Sequence, residues 1–185
     1  MRVVLLLVAL AMPAQAQMRV SAGSGIAHEC YEDARTPRQP RVSIDTCTAA
    51  LEHGGISAAD RAATFVNRGV LYDVVKNYEA AWADYNAALH LNPDLGDAYI
   101  NRGAALMRMQ RSDEGIVDIR KGLALGTSLP AVALYDLAVA EENLGQIKEA
   151  YLDYKRALDA DPKYTPAAEA LKFFKVETVA NGKAK

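Results

Sequence analysis

The residues of this chain with the greatest capacity for chemistry are three histidines and two cysteines, and their spacing limits what that chemistry could be. His28 stands two residues before Cys30, and His53 stands six after Cys47. Four such side chains could ligate a metal. Structural zinc sites, however, draw on closely spaced cysteine pairs, and neither half of this set contains one. No Cys-x-x-Cys pair supports thiol exchange either. His90 stands apart from both groups, where an imidazolium would favour the negative end of a helix. The economical reading of Cys30 and Cys47 is a disulfide, which needs an oxidising compartment.

Other catalytic chemistry leaves recognisable spacings, and these are missing. There is no Gly-rich phosphate loop, no serine elbow and no pair of histidines on one helix face. Carboxylate pairs such as Glu141-Glu142 and Asp159 with Asp161 are of the kind found on solvated helix faces. The expectation is a protein that is not an enzyme, with no catalytic residues, no metal and no cofactor.

The compartment can be read from the first residues. Arg2 precedes an uncharged apolar run from Val3 to Met12, Pro13 breaks it, and Ala14-Gln15-Ala16 offers a small-x-small cleavage pattern. Residues 1–16 therefore read as a signal peptide. Spanning a bilayer takes about 20 apolar residues, so this run is too short for an anchor. An exported chain, periplasmic or secreted, is expected, without membrane insertion after cleavage. In that setting a Cys30–Cys47 bridge would remove unfolded-state entropy worth about 3 kcal/mol. With 21 basic and 23 acidic side chains in 185 residues the charge is −2, which gives nucleic acid no basic face to meet.

The elements that would position any site follow from an internal repeat. Asn67-Arg68-Gly69 recurs as Asn101-Arg102-Gly103, and a third copy places Asp136-Leu137-Ala138 there. Ala81, Gly115 and Ala150 align, as do Tyr85, Ile119 and Tyr154, and Pro93, Thr127 and Pro162. The copies run over 62–95, 96–129 and 131–164, with Pro130 inserted before the last. Small residues at fixed places let two helix backbones approach, the aromatics fill the space beside them, and Pro93 and Pro162 end the second helices.

This pattern resembles the tetratricopeptide repeat (TPR) family, whose 34-residue unit is a helix, a turn and an antiparallel helix. Phe65, Gly69, Tyr72, Tyr78, Ala81, Tyr85, Ala88 and Pro93 carry the resemblance in the first copy. Leu134, Leu137, Ala138, Gly145, Ala150, Tyr154, Ala157 and Pro162 carry it in the third. The middle copy departs in its second helix at Gly115, Gly122 and Thr127. Interior glycine costs about 0.8–1 kcal/mol relative to alanine, so that helix is expected to be soft. The resemblance implies an all-α fold, a right-handed α-solenoid of three helix pairs. Repeats of this kind are stable only when stacked, and the end repeats need lids.

The lids are expected at both ends. Residues 17–61 read as a degenerate N-terminal helix pair, with helices near Ala27–Ala34 and Val42–His53 and a Ser57-capped helix following from Ala58 to Val75. Residues 165–178 read as a C-terminal capping helix, over Ala167–Val176 with Leu171, Phe173 and Phe174, and 179–185 as a polar tail. The arrangement is similar to exported bacterial tetratricopeptide proteins.

In that family the first helices line a concave groove, and projecting its geometry gives the candidate site. The first repeat contributes Val66, Asn67, Val70, Asp73 and Val74. The second contributes Ile100, Asn101, Ala104 and Arg108, and the third Tyr135 and Asp136. An amide donates and accepts at once, so Asn67 and Asn101 could read the main chain of an extended peptide whatever its sequence. Each could equally bridge neighbouring helices. Where some relatives place cations to grip a terminal carboxylate, this chain has Ala63, Val66 and Val132, so a carboxylate clamp is not expected. The expected partner is an unidentified protein or peptide offering an apolar or modestly basic segment to a scaffold in the bacterial envelope. The second reading is a structural protein that self-associates, as a homo-oligomer, through its end helix, where Phe173 and Phe174 are adjacent, or through the soft middle repeat. The third is a thiol or metal protein using Cys30 and Cys47.

Overall fold

The structure is a computed structural model, and it describes residue 18 and residues 25–53 and 55–174. The expected signal peptide at 1–16 and the tail at 179–185 lie outside the described residues. Among the described residues there are nine helices and no strand: α1 Ile26–Arg35, α2 Pro40–His53, α3 Ala58–Val74, α4 Tyr78–Leu91, α5 Gly96–Arg108, α6 Ser112–Leu125, α7 Pro130–Asn143, α8 Ile147–Ala160 and α9 Thr165–Leu171. Each helix packs on the next, and α1 with α3, α3 with α5 and α5 with α7 also meet. Contacts thus run along a line rather than around a centre, as an all-α helical repeat requires.

The core follows the same line. Cys30, Ala34, Ile44, Cys47 and Leu71 join α1 and α2 to α3. Val66, Val70, Tyr85, Ala88 and Tyr99 join α3 and α4 to α5. Ile100, Ile116, Ile119, Ala133 and Leu137 carry the core on to α7. Leu134, Tyr135, Tyr154 and Ala167 close it against α9. Cys30 and Cys47 are bonded, with Cα atoms 4.8 Å apart, and both are fully buried.

Local sequence fixes the helix ends. Ser57 Oγ accepts the Asp60 N–H at 3.0 Å and donates to Asp60 Oδ2 at 2.9 Å, a reciprocal cap at the start of α3. The turn inside each repeat is built three times over. Asn77, Arg111 and Gln146 donate their N–H groups to Tyr72, Leu106 and Glu141 carbonyls at 2.8–2.9 Å. Such closure puts the preceding residue in the left-handed region, at φ 62° for Lys76 and Gln110 and 75° for Gly145. Only the third copy supplies the glycine that this backbone favours.

The middle repeat departs from the other two copies, which have alanines at these places, for a steric reason. A Cβ on Gly115 would stand 2.8 Å from the Gly103 carbonyl oxygen, and one on Gly122 would stand 2.6 Å from Ile100 Cδ1. These glycines let α6 lie closer to α5 than alanines would, so what reads in sequence as a weak helix is a fitted one. Across each of the first two pairs an arginine grips an aspartate through two parallel bonds. Arg68 holds Asp84 at 2.8 Å and 2.8 Å, and Arg102 holds Asp118 at 2.6 Å and 2.7 Å. The third copy has Leu137 at the arginine's place, and Asp153 pairs instead with Arg156 on its own helix.

The C-terminal lid differs from the expected span. Thr165 and Pro166 open α9 before Ala167, because proline at the first helical positions lacks only an amide that has no partner there. The helix stops at Leu171, and the turn that follows sends Phe173 outward, 75 % exposed, while Phe174 packs 5.7 Å from the rings of Tyr151 and Tyr154. No helix among the described residues is long and apolar enough to cross a membrane.

Candidate groove site

The side chains equivalent to Asn67 in the three copies form the candidate row, and α3, α5 and α7 carry one each. Asn67, Asn101 and Asp136 are all buried, at 0 %, 2 % and 8 % exposure. Asn67 does what an amide in such a place can do. Its Nδ2 donates to the Met18 carbonyl at 2.8 Å, and its Oδ1 accepts the Met18 N–H at 3.0 Å. The Met18 side chain packs against the cluster that contains Val66, Val70 and Tyr99.

Asp136 is the charged member of the row. Burial pushes its carboxyl up to about 7, and the Arg108 guanidinium on α5 pulls the other way. Arg108 lies with its guanidinium carbon 5.8 Å from the centre of the Tyr78 ring, and its Nη1 is buried without a hydrogen-bond acceptor among the described residues. Beside Asp136 stands an aromatic wall in which Tyr135 lies 5.5 Å from Tyr154 and 5.7 Å from Tyr164, ring centre to ring centre.

Two further acids sit at equivalent places six residues along, about two helical turns. Tyr85 donates its hydroxyl to Asp73 Oδ2 at 2.8 Å, and Tyr154 donates to Glu142 Oε2 at 2.9 Å. Burial and these carboxylates raise both phenols, so they remain donors throughout the physiological range. In the middle copy Met107 and Ile119 replace acid and phenol with apolar side chains.

The apolar candidates divide differently. Val66 and Val70 belong to the core between α3, α4 and α5, and Ile100 to the core between α5, α6 and α7. Ala104 is buried on α5, and Val74 is half-buried at the end of α3. Ala63 and Val132 are buried as well, so no cation occupies those places. The residues that sequence reasoning missed are Met18, which follows no periodic pattern, and the Arg68–Asp84 and Arg102–Asp118 pairs. The pairs left a signal in their shared sixteen-residue spacing. Among the described residues no group of three His, Cys, Asp or Glu is arranged around a metal position.

Comparison with known proteins agrees with the all-α helical repeat fold. Residues 131–164 match the tetratricopeptide repeat family. The chain is 30 % identical over 105 residues to the DnaJ homolog subfamily C member 7 homolog of Schizosaccharomyces pombe, covering 55 % of this chain and 22 % of that protein. It therefore spans about a fifth of the length of the curated relatives it matches. Among solved structures it is similar to PilW, described as a widely conserved type IV pilus biogenesis factor, with TM-score 0.70 and 24 % identity over 79 % of this chain and 65 % of that one. It is also similar to the first TPR of Spaghetti (RPAP3) bound to the HSP90 peptide SRMEEVD, with TM-score 0.58 and 23 % identity over 62 % of this chain and 90 % of that one.

Proposed function

We propose that this chain, which is built of tetratricopeptide repeats, is a non-catalytic scaffold that holds an extended segment of a partner protein along the row Asn67, Asn101 and Asp136. The observation that supports this reading is the two-point hold of Asn67 on the main chain of Met18. A similar fold binds a peptide in the first TPR of RPAP3. That peptide ends in acidic residues, whereas Ala63, Val66 and Val132 here offer no cation to such an end. Asp136 and Glu142 suit a segment with apolar side chains and a donor or a positive charge near one end.

The buried Cys30–Cys47 bridge supports a place outside the reducing cytoplasm, so the envelope or the extracellular space is the proposed setting. Affinity capture from a native envelope extract, with wild type and with Asn67 and Asn101 both changed to Ala, tests the groove. Loss of one or more partners in the double variant supports it. Undiminished capture of every partner contradicts it.

A second reading rests on Phe173, which is three-quarters exposed beside the α8–α9 junction. A ring placed so suggests self-association through the C-terminal lid. Light scattering across concentration decides it, since a concentration-independent monomer removes the idea.

A further inference from the structure

The contact between Met18 and Asn67 joins residues 49 apart in sequence and belongs to no helix ladder. An asparagine that bridges two helices would bond a helical carbonyl or a side chain. Asn67 instead takes the N–H and the C=O of one and the same non-helical residue. Both groups of a residue point to one side only where the backbone is extended, as in a hydrogen-bonded pair of a β ladder. The grip uses nothing of the side chain and accepts any residue except proline. What packs against the cluster that contains Val66 and Val70 is a methionine, an unbranched and adaptable apolar side chain that others could replace. The chain thus lays the main chain of Met18 where a partner's would lie, and Asn67 is fully buried.

We infer that Met18 is the resident occupant of the Asn67 position, and that a partner's extended segment binds there by displacing it. The inference rests on the groove reading above and adds a regulator to it. An occupant tethered to the same chain competes at an effective concentration in the millimolar range for short tethers, so a free peptide with equal contacts loses to it. Apparent affinity falls in proportion to the fraction of chains in which the position is open. A successful partner must therefore gain contacts beyond Asn67, along α5 and α7. A segment that touches Asn67 alone is rejected, which makes the occupant a filter as well as a cover.

The occupant can be tested without knowing the partner. The probe is a fluorescent peptide with the sequence of residues 17–24, added to the whole chain. Three variants accompany wild type: Met18→Pro, which deletes the N–H that Asn67 accepts, Met18→Leu, which keeps it, and Met18→Pro with Asn67→Ala. The expected result is at least about tenfold tighter probe binding to Met18→Pro than to wild type or Met18→Leu, lost again when Asn67 is also changed. Equal binding to wild type and Met18→Pro overturns the inference, and so does binding that ignores Asn67.

A second reading of the same state uses methionine methyl labels. In wild type the Met18 methyl shows contacts to Val66 or Val70 that vanish in Asn67→Ala. A Met18 methyl already free in wild type overturns the inference, even where no chain binds the probe. Contacts seen only between differently labelled copies also overturn it, since the occupant would then come from a second molecule. Failure of partner capture leaves these methyl contacts untouched, so the groove reading and the occupant fail separately.

Discussion

Gly69 lies against the ring of Tyr85, so near that a Cβ on the glycine would stand 2.6 Å from Tyr85 Cε1. The tyrosine cannot retreat, because it is fully buried and its hydroxyl is held by Asp73. This contact sets the spacing of the first helix pair, whose core includes Val66 and Val70 on the same helix as Gly69.

Gly69→Ala should therefore destabilise although alanine is the better helix former. Overpacking costs about 1–3 kcal/mol, and the helix preference returns about 1. The net loss of up to about 2 kcal/mol lowers Tm by about 2–4 °C per kcal/mol, measured by calorimetry. An unchanged or raised Tm would mean that the ring has room to move.

Gln110 carries the opposite expectation. It holds φ 62° at the turn where the third copy has Gly145. A non-glycine residue in that region is strained by about 1 kcal/mol. Gln110→Gly should raise the urea midpoint, with a gain of about 0.5–1 kcal/mol and no change in slope.

Asp136 gives stability a pH dependence with a definite sign. Its folded carboxyl titrates near 7, above the ordinary range, so between about pH 4 and 7 the folded chain keeps a proton that the unfolded chain has released. Stability falls as pH rises through that window and is level above it. Burial drives the shift, and the charge that opposes it is Arg108 from α5. Asp136→Asn should flatten this part of the profile and stabilise at pH 8 by about 1–3 kcal/mol, checked by urea unfolding at intervals from pH 4 to 8.

The disulfide should act locally. Changing Cys30 and Cys47 to Ser together removes a cross-link across 17 residues. The loss is about 3 kcal/mol in the chain-entropy account. Because α1 and α2 pack on α3, whereas α7 packs on α5, α6 and α8, hydrogen exchange should rise in α1 and α2 while α7 and α8 keep their protection. Uniform loss across all helices would contradict a linear stack.

Much of this was legible beforehand, for identifiable reasons. The small residues at 69, 103 and 138 and the aromatics at 85 and 154 recur because each repeat must solve the same packing problem, so their period exposes the helix pairs. Ser57 with Asp60 marks the start of α3 because the cap is a local bond. The close fit of Gly115 and Gly122 was not legible, since propensity counts the cost of glycine and not the neighbour it admits. Phe173 and Phe174 read as part of one helix with only one of them able to face the core, and α9 instead ends at Leu171 before both. Met18 could not be found from pattern at all, because a main-chain grip leaves no signature in the residue gripped.

The central claim is that α3, α5 and α7 together hold an extended segment through Asn67, Asn101 and Asp136. Peptides selected from a display library on the whole chain, followed by amide chemical shifts on titration, test it most directly. Shifts concentrated on those three helices, with about tenfold weaker binding in Asn67→Ala with Asn101→Ala, are the predicted result. Shifts centred on α4, α6 and α8, or affinity indifferent to both asparagines, would contradict it.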